Sequence, residues 1–189
     1  MTRVIADITL SLDGFVSGEG EAVAALHAWA LTSTDPVDAA ALDAVAGAGA
    51  VVMGRGTFDV VDGPHGWRDG LGYAARHDAR PPFVVATSSV PPSVRLAATH
   101  DLTFVTTGPA DAVAAARAAA GGGDVHLMGG GMLVGSCLGV GLVDVLRLHV
   151  APELLGRGTP LFEGSAHRLV QRSVRVSATA VHLTYDVLS

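Results

Sequence analysis

Lysine is absent from the 189 residues, and all twelve basic side chains are arginine. Schiff-base chemistry on a lysine, and any phosphate loop that needs a Gly-Lys dipeptide, are thereby excluded. Cysteine occurs once, at Cys137. That rules out an internal disulfide and a cysteine-built zinc or iron–sulfur centre, and leads to the expectation of a reducing, cytoplasmic location. Charge is sparse, with 16% of residues charged and a formal net charge of −6. No basic cluster offsets that balance, which argues against a nucleic-acid partner held by phosphate neutralisation. No uncharged apolar run approaches the roughly 18 residues of a membrane span. Residues 1–12 carry one arginine and then alternating Ile, Asp and Thr, unlike a signal peptide. What the chain has in quantity is hydrophobic residues, 49% of the total. A chain of this length buries roughly 70% of its unfolded surface, and one domain over residues 1–189 is expected.

Short β-rich runs recur at 4–10, 50–53, 83–86, 102–105, 125–128 and 146–150, each bounded by Gly, Pro or polar residues, the pattern of strands in a covered sheet. Helical patterns lie between them. Asp35 and Pro36 ahead of Val37, Ala40, Ala41, Leu42 and Val45 predict an N-cap, a proline in the first turn and an apolar stripe. Residues 109–120 repeat the design and end at Gly121-Gly122-Gly123. Strands alternating with helices predict an α/β fold, a mixed but mainly parallel sheet flanked by helices. The end of the chain differs, because 168–177 and 180–188 alternate with no helix between them; these predict antiparallel C-terminal strands. The stretch 59–82 is the least periodic and is rich in Gly, His, Arg and Asp. It reads as a long surface excursion, a kind of segment that often carries a site or lid.

Three strand ends carry chemistry. The first is Met53-Gly54-Arg55-Gly56-Thr57, where an apolar strand meets a helix; unpaired amides and the positive helix end at such a junction suit an anion. The second is Thr87-Ser88-Ser89 after the 83–86 run, three hydroxyls able to hydrogen-bond a phosphate or ribose. The third is Gly129-Gly130-Gly131-Met132-Leu133, where missing Cβ atoms let a ligand approach the backbone. The same glycines also suit a tight turn, and Arg55 also suits a solvated surface. Their common place at strand C-termini favours a ligand crevice, as in open α/β sheets. The Rossmann G-x-G-x-x-G does not follow the first strand or the 125–128 run.

The segment Ser11-Leu12-Asp13-Gly14-Phe15-Val16, the Met53 to Thr57 junction, the glycine run and the stretch GLVDVLRLHVAPELLGRGTPLF over 141–162 together resemble the reductase domain of the bifunctional riboflavin-biosynthesis deaminase-reductase. That domain shares the dihydrofolate reductase fold, and the match runs in order along essentially the whole chain. The resemblance implies a mixed, mainly parallel sheet, NADPH as hydride donor and a homodimer. It implies that Gly54, Arg55 and Thr57 form the phosphate-binding junction, with Arg55 beside the 2′-phosphate. Thr87, Ser88 and Ser89 then fall on the adenosine side. Gly129, Gly130, Gly131, Met132 and Leu133 match the pyrophosphate loop, and Thr9, Ser11 and Val16 fall beside the nicotinamide. The H-x-E and P-C-x-x-C ligands of a zinc deaminase have no counterpart, so a stand-alone reductase is expected. The carboxylate by which dihydrofolate reductases hold a pterin is also missing, since residues 22–34 contain no Asp or Glu.

A hydride reductase leaves the chemistry largely to its nicotinamide, and the protein supplies position, electrostatics and a proton source. Asp7 shares a strand face with Thr9 and is the candidate catalytic and substrate residue, with burial expected to raise its pKa and keep it protonated. Pairing with a nearby arginine or capping a loop is the alternative for Asp7. Asp13 beside Gly14 reads as a turn-former whose loop closes over the nicotinamide. His126 and His149 sit in apolar strands and read as satisfied core histidines. His65, Trp67 and Arg68 in the excursion are candidate substrate contacts. No HExxH or i, i+4 histidine pair supports a metal site. The expected function is an NADPH-dependent reductase of a small heterocyclic or ribosylaminopyrimidine-type substrate; the alternatives are a dihydrofolate reductase-like activity and a non-catalytic nucleotide-binding dimer.

Overall fold

A computed structural model of the chain describes residues 2–19, 21–45, 47–68, 72–73, 80–164 and 166–188. The first half runs β1 (Val4–Ser11), β2 (Phe15–Ser17), α1 (Glu21–Ala25), α2 (Ala28–Leu31), α3 (Pro36–Asp43), β3 (Ala48–Gly54), α4 (Arg55–Asp62) and β4 (Phe83–Ala86). The second runs β5 (Leu102–Val105), α5 (Pro109–Ala119), β6 (Asp124–Met128), α6 (Gly131–Gly139), β7 (Val145–Ala151), β8 (Thr159–Pro160), β9 (Arg168–Val176) and β10 (Val181–Leu188). Eight strands make one sheet in the order β5-β4-β3-β6-β1-β7-β10-β9. Pairing is parallel from β5 to β7 and antiparallel from β7 through β10 to β9. This is the mixed α/β sheet expected from the sequence.

Local chemistry starts the helices where expected. The Asp35 carboxylate accepts the Val37 amide at 2.8 Å, and Pro36 opens α3; Pro109 likewise opens α5. The short α1 and α2, and the small β2–β8 sheet, were not foreseen, because two to five residues are too few to display a period. Of the 59–82 excursion, 59–62 complete α4, while 69–71 and 74–79 lie outside the described residues.

The central strands bury both faces, and the two faces differ. All eight residues of β1 are buried. With a side-chain period of two, Val4, Ala6, Ile8 and Leu10 face α5 and α6 together with Val125, Leu127, Leu146 and Leu148. That face is dry. On the other face Val51, Met53, Phe83 and Val85 pack with Phe58 and Val61 of α4, while Trp29 and Ala41 pack with Ala180. Between those two apolar patches lie the buried polar side chains Asp7, Thr9 and Ser11 of β1, His126 of β6 and His149 of β7.

Candidate active site

The C-terminal rim of the sheet is where strands turn directly into helices. Gly54 is the N-cap of α4 and Gly130 that of α6, and neither helix has a side-chain cap. Their first amides therefore keep unsatisfied N–H groups at the positive dipole ends. Because β3 and β6 are neighbours, the two helix starts lie side by side. Gly129 and Gly130 adopt φ of 63° and 82°, a region that favours glycine. A Cβ on Gly130 would come 3.3 Å from Thr57 Oγ1, and one on Gly54 3.7 Å from Leu133 Cβ. A Cβ on Gly131 would stand 2.6 Å from the Pro160 carbonyl oxygen, so no side chain fits there.

β4 continues the rim on the far side of β3. Arg55 Nε donates to Asp59 at 2.7 Å and Nη1 donates to the Ser89 carbonyl at 3.1 Å. Thr87 Oγ1 donates to that same carbonyl at 2.9 Å, folding the Thr87, Ser88, Ser89 segment against Arg55. Bare amides, bare glycines and one guanidinium on one rim fit the phosphates of a dinucleotide. Met132 points outward, 80% exposed, whereas Leu133 is buried beneath the loop.

The end of β1 joins this rim. Ser11 Oγ donates to Asp13 Oδ1 at 2.5 Å and accepts the Phe15 amide at 3.0 Å. Asp13 also accepts the amides of Leu155 at 3.1 Å and Gly156 at 2.7 Å. The Ser11 hydrogen bond, helped by the Gly156 and Leu155 amides and outweighing a small burial effect, holds the Asp13 carboxyl below its usual range. The 11–16 turn is thus tied to the 155–156 turn, and Val16 Cγ2 lies 3.1 Å from where a Gly131 Cβ would stand. Thr9 accepts the Trp29 indole N–H at 3.1 Å.

Deeper on the polar face, the structure corrects the expectation that Asp7 is protonated. Burial alone would raise its pKa, but His149 at 3.0 Å and Arg147 at 2.8 Å outweigh that effect and bring it down to about 2. Asp7 is therefore a carboxylate, in the arginine pairing that was one of its alternatives. His126 and His149 are buried and hydrogen-bonded, as expected of them. His126 Nδ1 lies 2.9 Å from Tyr73 Oη, and burial, the largest influence, lowers its pKa to about 4. Burial, and then the Asp7 charge, hold the Tyr73 phenol well above its ordinary value.

From His149 a chain of contacts runs outward. His149 Nδ1 is 2.6 Å from His182 Nδ1 on β10, and His182 Nε2 is 2.7 Å from Asp38 Oδ1 on α3. Asp38 Oδ2 accepts the hydroxyls of Ser33 at 2.5 Å and Thr179 at 2.6 Å. Burial raises the Asp38 pKa, but the hydrogen bonds from Ser33, Thr179 and His182 prevail and bring it to about 2. Trp29 stacks on His149 with ring centroids 4.1 Å apart.

Sequence reasoning missed Tyr73, Arg147, His182 and Asp38. Arg147 and His149 are two apart on β7, and the spacing argument applied to Asp7 and Thr9 would have paired them. His65, Trp67 and Arg68 do not join this group. Trp67 packs edge-on against Phe83, the first residue of β4, and on His100, at the opposite end of β4 from Thr87. Trp67 and Arg68 line a separate cleft with Arg95, Leu96, Thr99 and His100, and His65 is exposed.

Residues 2–183 match the family described as the RibD C-terminal domain. Among solved structures, the chain is similar to a putative riboflavin biosynthesis protein from Shewanella sp. PV-4, with 23% identity, 100% of both chains covered and a TM-score of 0.70. It is similar to the diaminohydroxyphosphoribosylaminopyrimidine deaminase/5-amino-6-(5-phosphoribosylamino)uracil reductase of Thermotoga maritima, with 14% identity and a TM-score of 0.61. That match covers 99% of this chain and 57% of the Thermotoga protein. It also resembles a dihydrofolate reductase from Enterococcus faecalis complexed with NADP(H), with 17% identity, 99% and 97% of the two chains covered and a TM-score of 0.60. These likenesses show the fold, of dihydrofolate reductase type. No curated protein matches the sequence.

Proposed function

The chain belongs to the RibD C-terminal domain family, and from that premise we propose that it is an NADPH-dependent reductase of the riboflavin-pathway kind. Its substrate is a ribosylaminopyrimidine such as 5-amino-6-(5-phosphoribosylamino)uracil, the compound in the name of the Thermotoga relative, or a close heterocyclic analogue. The observation that carries this reading is the meeting of two uncapped helix starts beside Arg55, directly above a buried polar face. In this reading the amides and glycines of Gly129 to Leu133 hold the pyrophosphate, and Gly54, Arg55 and Thr57 hold the 2′-phosphate end. Thr87, Ser88 and Ser89 line the adenosine side, and Thr9, Ser11 and Val16 the nicotinamide side. The bound, reduced nicotinamide supplies the hydride. Asp7, fixed by Arg147, orients the polar edge of the substrate.

Residues 1–189 act as one domain, working as a cytoplasmic homodimer. The apolar side chains Val174 and Val176 on edge strand β9, 47% and 66% exposed, support pairing of two copies. The likeness to dihydrofolate reductase favours folate reduction as a second reading; the lack of any carboxylate at 22–34 speaks against it. The cleft beside Trp67 and Arg68 carries no step here.

A single charge-assisted contact is worth roughly 1.5 to 3 kcal/mol, which gives about a 10- to 150-fold preference for NADPH over NADH. Titration of both nucleotides against the wild type and Arg55→Ala tests the assignment. The variant is expected to lose most of the preference while keeping NADH affinity; equal loss for both nucleotides contradicts it. Binding of NADPH with no oxidation by any pyrimidine substrate would identify a non-catalytic nucleotide-binding protein instead.

A further inference from the structure

We propose that the buried His149–His182 pair stores one proton between two carboxylates and hands it through Asp7 to the substrate as the hydride arrives. The inference deepens the reductase reading and rests on it. Asp7 Oδ1 faces His149 Nε2 at 3.0 Å, and Asp38 Oδ1 faces His182 Nε2 at 2.7 Å. Facing carboxylates, both Nε2 atoms carry a hydrogen and donate it. The two Nδ1 atoms then confront each other at 2.6 Å, where two bare lone pairs would repel. One further proton must lie between them.

The charges agree with that count. Asp7 and Asp38 contribute two negative charges, and Arg147, bonded to Asp7 at 2.8 Å, contributes one positive charge. A pair holding one excess proton contributes the second, and the cluster is neutral. The side chains of Asp7, His149, His182 and Asp38 are each at most 6% exposed, and such burial strongly penalises an unbalanced charge. Burial, helped by the neighbouring imidazole, outweighs the pull of Asp38 and weakens proton binding at His182, so it is the close Nδ1–Nδ1 approach, and not the affinity of His182 alone, that calls for the shared proton. Trp29, stacked on His149 with ring centroids 4.1 Å apart, holds the imidazole in the plane that lets it face both Asp7 and His182. Beyond Asp7, Arg147 and Asp38, the charged or titratable groups acting on the pair are His27, through His149, and Arg175, through His182, while His126 and Tyr73 act on Asp7.

The transfer balances. A bound reduced nicotinamide would supply the hydride, and the substrate heteroatom that takes up the electron pair of the breaking π or C–O bond would then need one proton. His149 passes its Nε2 proton to Asp7 Oδ1 while the shared proton settles on His149 Nδ1. Asp7 then protonates the heteroatom. Water restores the missing proton after the product leaves, and the half-buried Ser33 and Thr179 hydroxyls on Asp38 place the outer end of the chain close to solvent. His182 and Asp38 are positioning residues that act through His149 and Asp7.

Proton and nitrogen NMR of the protein without nucleotide tests the store itself. The expected signature is one strongly downfield, exchange-protected proton coupled to an Nδ1, present in the wild type at neutral pH and absent in His182→Gln and Asp38→Asn. Two neutral imidazoles with no shared proton would overturn the proposal. Its delivery is tested by the pH dependence of kcat. His182→Gln is expected to lower kcat by about 100-fold at pH 8, within the usual range for a lost general acid, with a smaller loss at pH 6 and an unchanged Kd for NADPH. Gln at 182 retains one donor to Asp38, and folding of each variant is checked by its amide spectrum. A shared proton together with an unmoved pH profile would overturn the delivery step. Failure of the wild type to bind NADPH would instead remove the reductase reading, and the NMR signature alone would then decide whether the pair holds a proton.

Discussion

The two faces of β1, β6 and β7 are covered equally well and are built for different ends. One face presents Val4, Ala6, Ile8, Val125, Leu127, Leu146 and Leu148 to α5 and α6, and its burial drives folding. The other presents Asp7, Thr9, His126, Arg147 and His149, every polar group of which must be matched by a partner. Among the described residues, no buried side-chain nitrogen or oxygen lacks one. Burying an ion pair seldom adds net stability, whereas breaking one is costly. The polar face is therefore best understood as a functional surface supported by the dry face behind it.

The comparison is broken most severely by removing one charge. Asp7→Ala leaves Arg147 without its carboxylate and should destabilise the protein by about 3–5 kcal/mol, abolishing reduction as well. On the dry face Leu146→Ala should cost about 2–5 kcal/mol through cavity formation, with the pH profile of reduction unaltered in shape. Urea denaturation and steady-state kinetics on both variants check this pair. Retention of reduction in Asp7→Ala, or a changed pH profile in Leu146→Ala, would erase the distinction between the faces.

A smaller effect sharpens it. His126 binds its proton at about 4 in the folded chain instead of 6.5, because it is buried. The unfolded chain thus takes up a proton as pH falls below 6.5 while the folded chain does not, so stability declines toward pH 4 by at most about 3 kcal/mol. Asp7 and Asp38, brought from 3.8 to about 2, contribute stability above pH 3.8 and lose it only as pH falls toward 2, so the windows separate. Denaturation midpoints between pH 4.5 and 7 should vary less in His126→Gln than in the wild type. Identical slopes would remove His126 as the cause.

Much of this architecture was legible in the chain because the signals are local. An apolar run bounded by turn residues reveals β4 or β5 without knowledge of what packs on it, and Asp35-Pro36 announces α3 by its own capping chemistry. The rim was legible for the same reason: glycines and hydroxyls stand where strands stop. The polar face was not, since it is assembled from β1, β6, β7, β10, α3 and the 59–82 excursion. Arg147 lies 140 residues from the Asp7 it neutralises, and nothing around Asp7 in sequence announces it. Burial without that partner predicts a protonated acid, and the partner reverses the sign. Tyr73 shows that the excursion does reach the site, through a residue other than those singled out for it.

The most direct test of the account is an amide NMR map recorded as NADPH is added. The largest shifts are expected at Gly54, Arg55, Thr57 and Gly129 to Leu133, with smaller ones at Thr9 and Ser11 and none along Ala112 to Ala116 of α5. Shifts concentrated instead around Trp67, Arg95 and His100, or no shifts at all, would contradict it.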